Sequence, residues 1–174
     1  MKDPKLSAGQ MGRLSATEYA QAPTSGIMVV LDNVRSAYNV GSAFRSCDAF
    51  RVDGVMLCGI CATPPSAEIH KTALGAELTV PWEHCADTVE AVRELRHRGY
   101  VPVAVEQTVN SVKLNEFVRG RDVRYAFVFG NEVDGVAQEV VDECDFSLEI
   151  PQWGTKHSLN VSVCVGVVLW GAGK

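Results

Sequence analysis

Short runs of β-branched and aromatic residues alternate along this chain with segments of helical periodicity. Each run is apolar almost throughout, which is typical of strands that are covered on both faces. This alternation favours a parallel sheet flanked by helices, so the predicted fold class is α/β. The strands are predicted at 27–32, 55–59, 101–106, 125–130 and 146–150, and the helices at 39–50, 87–98 and 136–143.

The first predicted helix has one apolar stripe, at positions i, i+3, i+4 and i+7. Asn39 is of the residue type that caps helix N-termini, so we expect the helix to begin there. Arg45 lies at the edge of the stripe, which is formed by Val40, Ala43, Phe44 and Cys47.

The 174 residues suit one globular unit, and a hydrophobic fraction of 47% is ordinary for a chain with a real core. Residues 1–25 are polar and weakly patterned, and we interpret them as an N-terminal arm that precedes one domain at 26–174. The sequence has neither the pattern of a secretory signal nor an apolar stretch of about 18 residues, which predicts a cytoplasmic protein with no membrane partner.

A net charge of −5 argues against indiscriminate binding of nucleic acid, so any RNA contact must be focused. Neither the dinucleotide fingerprint nor a P-loop occurs, which excludes those two enzyme classes. Cys58 and Cys61 form a lone C-x-x-C, open to zinc binding if His84 and Cys85 contribute, or to redox chemistry. We favour reduced core thiols for the six cysteines and predict no metal site.

Three polar loops each follow a predicted strand or lie before an apolar segment. They contain LDNVRSAYNVGSAFR, FVFGNEVDGV and IPQWGTKHSLNV. Open α/β sheets bind ligands at the carboxyl edge of the strands, where such loops lie. Each loop by itself is also compatible with ordinary turn chemistry, because Gly, Asn and Asp are common in turns.

Taken together, the motifs N-x-G-x-x-x-R, F-G-N-E-x-x-G and I-P-x-x-G-x-x-x-S-L-N-V resemble those of the SpoU (TrmH-type) branch of the SPOUT RNA methyltransferases. The resemblance covers residues from about 27 to 170. It implies an α/β domain with a C-terminal trefoil knot that binds S-adenosylmethionine and methylates ribose 2′-hydroxyls of tRNA or rRNA as a homodimer. It also implies a buried helix at 158–170, although the alternation at 161–165 is typical of a strand.

The resemblance further implies which residues form the site. Arg45 takes the catalytic position, where it would hold a phosphate or stabilise the alkoxide, since arginine is a poor base; a role as the base stays the alternative. Asn39, Glu132 and Asn160 would orient Arg45 and the substrate. Ser158 would join this catalytic set or cap the last helix. Cofactor contacts, largely through main-chain groups, fall on Val105, Glu106, Gly130, Ile150, Gln152, Ser158 and Leu159.

Gly130 is expected to let the cofactor approach where a side chain would block it. Lys156 and His157 would face RNA, and a second subunit would present Arg35 or Lys71 to the same RNA. Alternatively, Lys156 and His157 belong to a solvated surface loop that does not contact RNA.

Gln152 stands where most members of this family carry Met. Its segment 150–152, with 105–108, resembles eukaryotic methyltransferases of the ribose of guanosine 18 in the tRNA D-loop. That tRNA nucleotide is therefore the predicted substrate. The alternatives are an rRNA or the tRNA anticodon loop, a non-catalytic RNA-binding relative, and a nucleotide-binding α/β protein of another kind.

Overall fold

Seven parallel strands form one sheet in the computed structural model, which describes residues 3–173. The spatial order of the strands is β3-β2-β1-β6-β4-β7-β5, and every pair is parallel. The strands are β1 (Ile27–Asp32), β2 (Gly54–Cys58), β3 (Trp82–Cys85), β4 (Tyr100–Val105), β5 (Val112–Lys113), β6 (Arg124–Phe129) and β7 (Phe146–Glu149).

Helices cover both faces of this sheet. They are α1 (Ala16–Gln21), α2 (Ala37–Ala49), α3 (Ala67–Ala73), α4 (Thr88–His97), α5 (Gln138–Glu143) and α6 (Val161–Ala172), with 3-10 turns at Ala8–Met11 and Ala76–Leu78. Helices α2, α3 and α6 contribute to the core on one face, and α4 and α5 to the core on the other. None of the helices in the described part of the chain has the length and apolarity to cross a membrane.

Strand β1 shows why the central strands are apolar at every position. Ile27, Val29 and Leu31 point into the core beside α2 and α6, whereas Met28 and Val30 point into the core beside α4. Successive side chains of a strand point to opposite faces, so a strand between two helix layers needs apolar residues on both. The predicted α/β class with a parallel sheet is confirmed.

The five predicted strands are all present, within one or two residues of the expected bounds. Two strands were missed, β3 and β5, which form the two edges of the sheet. An edge strand has one neighbour and one open side, so it needs no continuous apolar run. Strand β3 reads WEHC, and β5 has only two residues.

The last apolar segment is helix α6, as the resemblance implied, and the strand-like alternation at 161–165 was misleading. The helix begins at Val161, three residues later than expected, and packs on α2. Gly166 faces α2, where a Cβ would lie 3.6 Å from the Ser46 hydroxyl. Packing against a second helix therefore overrides the preference of valine for strands.

Helix α2 begins earlier than predicted. Its N-cap is Ser36, whose hydroxyl accepts from the Asn39 amide at 3.3 Å, so the expectation that Asn39 caps the helix is wrong. The Asn39 side chain is thereby available for other contacts. Gly41 lies inside α2, where a Cβ would collide with Thr72 and the Ile69 carbonyl of α3. This glycine serves helix packing and not a loop.

Residues 3–25 contain α1, which has a capping box between Ser15 and Glu18. Tyr19 of this helix packs against the core, and burial raises the pKa of its phenol to about 12. The division into an arm and a domain stays a prediction, and residues 1 and 2 lie outside the described part of the chain.

Candidate active site

The loops that follow β4, β6 and β7 surround a cavity of about 500 Å³ at the carboxyl edge of the sheet. These strands are neighbours in the order β6-β4-β7, which is why their loops meet. The N-terminal end of α6 completes the wall. The lining includes most of the predicted cofactor and polar positions, namely Val105, Glu106, Gly130, Glu132, Ile150, Gln152, His157, Ser158, Leu159 and Asn160.

Glu106 fastens the loop after β6 to the end of β4. Its Oε2 accepts a hydrogen bond from the Val136 amide at 3.0 Å, and its Oε1 accepts from the Gln107 amide at 2.8 Å. Gly135 has a φ of 70°, and a Cβ there would collide with the Glu106 carboxylate. Since both oxygens are engaged by main-chain amides, the Glu106 side chain shapes the cavity wall.

Gly130 is required by the packing of the chain's own backbone, and its predicted role in the approach of the cofactor stays a prediction. A Cβ at this position would collide with the backbone of Gly135 and Val136, so no larger residue fits here. An antiparallel bridge between Asn131 and Gly135 closes the loop, with amide-to-carbonyl distances of 3.2 Å. Gly130 still lines the cavity with its main chain.

Asn39, Glu132 and Asn160 form one hydrogen-bonded chain at the cavity. Asn39 Nδ2 donates to Glu132 Oε1 at 2.5 Å, and Asn160 Nδ2 donates to Asn39 Oδ1 at 3.1 Å. Asn160 also caps α6, because its Oδ1 accepts from the Ser162 amide at 2.9 Å. The structure thus joins one residue from each of the three sequence motifs. Ser158 lines the cavity but does not cap the helix, contrary to one expectation.

Arg45 lies apart from this chain of amides. It is exposed, does not line the cavity, and makes no hydrogen bond or ion pair with any other residue among 3–173. Asn39 and Arg45 are six residues apart on α2, so their side chains diverge by about 120° around the helix axis. Within one chain, Asn39, Glu132 and Asn160 therefore orient one another and not Arg45.

Main-chain groups and apolar side chains define the rest of the wall. Within residues 3–173, the amides of Gly130, Ile150 and Leu159 have no hydrogen-bond acceptor. Leu148 and Val105 add apolar surface beside them. Unpaired amide donors against apolar walls can bind a flat heteroaromatic ring with edge acceptors.

The four predicted RNA-binding residues are all exposed but fall into two groups. Lys156 and His157 lie in the segment at the cavity, where the His157 carbonyl accepts from Gln107 Nε2 at 2.9 Å. Arg35 precedes α2, and Lys71 lies on α3 with its Nζ 5.8 Å from the centre of the Tyr38 ring. Neither Arg35 nor Lys71 lines the cavity.

Sequence reasoning missed Asp32, a buried carboxylate at the end of β1 that is only 1% exposed. Its oxygens accept from the Thr88 hydroxyl at 2.6 Å, the Asn33 side chain at 2.8 Å and the Ala137 amide at 3.2 Å. An aspartate that ends a wholly apolar strand was the available signal. Asp32 ties the start of α4 and the approach to α5 to the centre of the sheet.

Glu149 was also missed, at the end of β7 on the cavity wall. Its Oε2 accepts from Lys113 Nζ at 2.5 Å and from the Ser111 hydroxyl at 2.6 Å. The hydrogen bond from Lys113, followed by that from Ser111, lowers the pKa of Glu149, so this carboxylate is charged at neutral pH. The bonds fix the edge strand β5 to β7.

The cysteines of the C-x-x-C make ordinary internal contacts. The Cys61 thiol donates to the Leu31 carbonyl at 3.2 Å and accepts from the Val34 amide at 3.1 Å. Burial raises the pKa of Cys61 to about 11, which disfavours the thiolate that metal binding and redox chemistry need. Over residues 3–173, no group of His, Cys, Asp and Glu side chains has a geometry that could hold a metal ion.

The SpoU rRNA Methylase family matches this chain over residues 26–170. The 23S rRNA (guanosine-2′-O-)-methyltransferase RlmB of Nitrosomonas europaea is 34% identical over 148 residues, which are 83% of this chain and 54% of the relative. The chain therefore spans little more than half the length of the curated relatives it matches.

Two solved structures share the fold. The TrmH/SpoU tRNA modifying enzyme of A. aeolicus has a TM-score of 0.78 at 30% identity, covering 91% of this chain and 79% of its own. The AdoMet-bound rRNA methyltransferase of Sinorhizobium meliloti has a TM-score of 0.79 at 28% identity, covering 88% and 59%.

We expect Glu106→Gln to loosen the loop 130–136 while the domain stays folded. The amide group of Gln must present a donor where the carboxylate now accepts from Val136 or Gln107, and an unsatisfied buried amide costs about 1–3 kcal/mol. Hydrogen exchange of the Val136 amide should rise at least tenfold. Asp134→Asn is the matched control, since it removes a charge from an exposed side chain of the same loop. Equal exchange in both variants would contradict this role of Glu106.

Proposed function

Because the chain belongs to the SpoU rRNA Methylase family, we propose that it transfers a methyl group from S-adenosylmethionine to a ribose 2′-hydroxyl of RNA. The observation that carries the proposal is the hydrogen-bonded chain of Asn39, Glu132 and Asn160 at the mouth of the cavity. A relative that kept the fold for RNA binding alone would have no need for this arrangement.

The cavity suits S-adenosylmethionine. A volume of about 500 Å³ is in the range of small-molecule sites. We assign the adenine to the apolar walls, with the amides of Gly130, Ile150 and Leu159 as donors to its edge, and the adjoining main chain of Gln152 and Ser158 to the rest of the cofactor. The AdoMet-bound enzyme of Sinorhizobium meliloti supports S-adenosylmethionine as the cofactor. When bound, S-adenosylmethionine supplies a methyl group on a positively charged sulfur.

The ribose 2′-hydroxyl must lose a proton as its oxygen is methylated, and we assign that proton to Glu132. Glu132 lines the cavity; its Oε1 is held by Asn39, while its Oε2 has no partner among residues 3–173. A carboxylate fixed by one oxygen and open at the other is suited to accept a proton. Arg45 lies off the cavity, and a guanidinium can bind a phosphate through two parallel hydrogen bonds, so we assign Arg45 to an RNA phosphate.

We propose tRNA, and guanosine 18 of its D-loop, as the substrate. The similarity of residues 105–108 and 150–152 to guanosine-18 methyltransferases supports this choice, as does the tRNA modifying enzyme of A. aeolicus. The Nitrosomonas europaea relative favours the runner-up, a guanosine of 23S rRNA. The exposed cations Arg35, Lys71, Lys156 and His157 are the proposed contacts to the RNA backbone.

A homodimer is the proposed assembly. One side of α6 packs on α2, and its other side exposes Val163, Val167 and Trp170, at i, i+4 and i+7, by 48%, 36% and 63%. We propose that a second copy covers this apolar stripe.

The dimer proposal predicts that sedimentation at micromolar concentration gives twice the 18.8 kDa of one chain. Val167→Asp should shift the protein toward the monomer, because it places a charge in the contact. Val118→Asp, at an exposed valine outside α6, is the control. A parent protein that sediments only as the single chain would exclude the dimer.

We also propose that the chain after β6 forms a trefoil knot. In support, β6 lies between β1 and β4, and β7 lies between β4 and β5, so the connection from β4 to β5 passes over β7 and that from β6 to β7 passes over β4. The closed turn at 130–136 lies against the segment that leads to α6 around one cavity. An experimental trace in which the segment 150–160 passes beside this turn, and not through it, would contradict the knot.

The substrate proposal predicts one 2′-O-methyl group at guanosine 18 when unmodified tRNA is incubated with the protein and labelled S-adenosylmethionine. Mass spectrometry of RNA fragments locates the group. Methylation only in the anticodon loop or in 23S rRNA fragments would leave the reaction standing and make the named substrate wrong. Binding of RNA and cofactor with no transfer would contradict the reaction itself.

The proton assignment predicts that Glu132→Gln lowers kcat at least 100-fold, because the side chain can still accept from Asn39 but cannot take the proton. Affinities for RNA and cofactor should stay within a few-fold of the parent. Arg45→Ala should instead weaken RNA binding and lose kcat/KM mainly through KM. A 100-fold loss of kcat in Arg45→Ala at saturating RNA, with Glu132→Gln active, would reverse the two roles.

A further inference from the structure

Trp153 stands almost wholly in solvent beside the cavity. Its relative exposure is 92%, and it makes no hydrogen bond or ring contact with other residues in the described part of the chain. Single exposed apolar residues are common on protein surfaces, so the exposure of Trp153 alone does not indicate a binding role. Trp153 differs from most other exposed apolar residues in its position at the cavity and in the cationic residues near it.

The segment that carries Trp153 is anchored at both ends. At one end, Ile150 follows directly from β7, and Gln152 lines the cavity. At the other end, Gln107 Nε2 donates to the His157 carbonyl at 2.9 Å. Trp153 is therefore held at the rim of the cavity, where an incoming substrate must pass or rest.

The rim has the composition of a surface for single-stranded nucleic acid. Lys156 and His157 are exposed within four residues of Trp153, and neither forms an ion pair with residues 3–173. Sites for single-stranded RNA combine cations for the phosphates with aromatic rings on which bases stack. Exposed Val109 and Val133, on the two neighbouring loops, add only small apolar groups and no second ring.

The chemistry of ribose methylation creates a need for such a ring. The 2′-hydroxyl can reach a cavity only if its nucleotide leaves the stack of its neighbours, and the lost stacking must be replaced. Resting on the proposed function, we infer that Trp153 stacks on the nucleobase of the nucleotide whose ribose is methylated. Because every base has a π-face, this contact selects an unstacked nucleotide over a paired one, without identifying the base.

The inference predicts that Trp153→Leu weakens binding of unmodified tRNA about tenfold, whereas Trp153→Phe stays within about threefold of the parent. Leucine and phenylalanine are both apolar, but only phenylalanine has a π-face, so comparison of the two variants separates stacking from simple burial. S-adenosylmethionine affinity, measured by calorimetry, should be unchanged in both variants.

Salt dependence provides the matched control. The loss in Trp153→Leu should be the same at low and high salt, whereas Lys156→Ala should reduce the slope of log affinity against log salt by about one. If Trp153→Leu binds tRNA as tightly as the parent, or loses cofactor affinity instead, stacking is refuted. A shift of Trp153→Leu from dimer to monomer would show that the ring contacts protein and would equally overturn the inference.

These outcomes are separate from a failure of the proposed function. A parent that binds tRNA through Trp153 but transfers no methyl group would refute the reaction and leave the stacking contact standing. A parent that methylates tRNA, with Trp153→Leu binding equally well, would refute only the stacking contact.

Discussion

The close contact between Gly130 and the Gly135–Val136 backbone is the constraint on which the cavity depends. It turns the chain back immediately after β6, and Glu106 fixes the turn by accepting from the Val136 amide at 3.0 Å. Because that carboxylate belongs to the end of β4, two neighbouring strands hold one loop in place. The site is thus built mainly from backbone geometry, which tolerates few substitutions at the glycines.

The acidic side chains around the cavity differ in the partners that their carboxylate oxygens have. Glu106 has both oxygens engaged by main-chain amides, whereas Glu149 accepts from Ser111 and Lys113 through Oε2 alone, and both side chains support the walls. Glu132 has one oxygen held and one open. Among residues 3–173 Glu132 has no cationic partner, whereas Glu149 is paired with Lys113, and this difference supports the proposed role of Glu132 in proton transfer.

The fold could be predicted largely from the sequence, because strands buried on both faces must be apolar at every position, as β1 and β6 are. The edge strands escaped prediction since they lack that requirement, and α6 would have been assigned as a strand from periodicity alone. The motif residues Asn39, Glu132 and Asn160 were predicted through resemblance. Asp32 and Glu149 were not, because their importance lies in partners from distant parts of the chain.

The sequence by itself determined the α/β class, the family and the loops that carry polar residues, since these follow from local pattern and short motifs. Only the tertiary structure decided what each residue does within those loops. It placed Gly130 against the chain's own backbone, joined Asn39 to Glu132 and Asn160, and left Arg45 on another side of α2. The physical reason is that a hydrogen bond between residues 93 or 121 positions apart depends on how strands and helices pack, which no local pattern records.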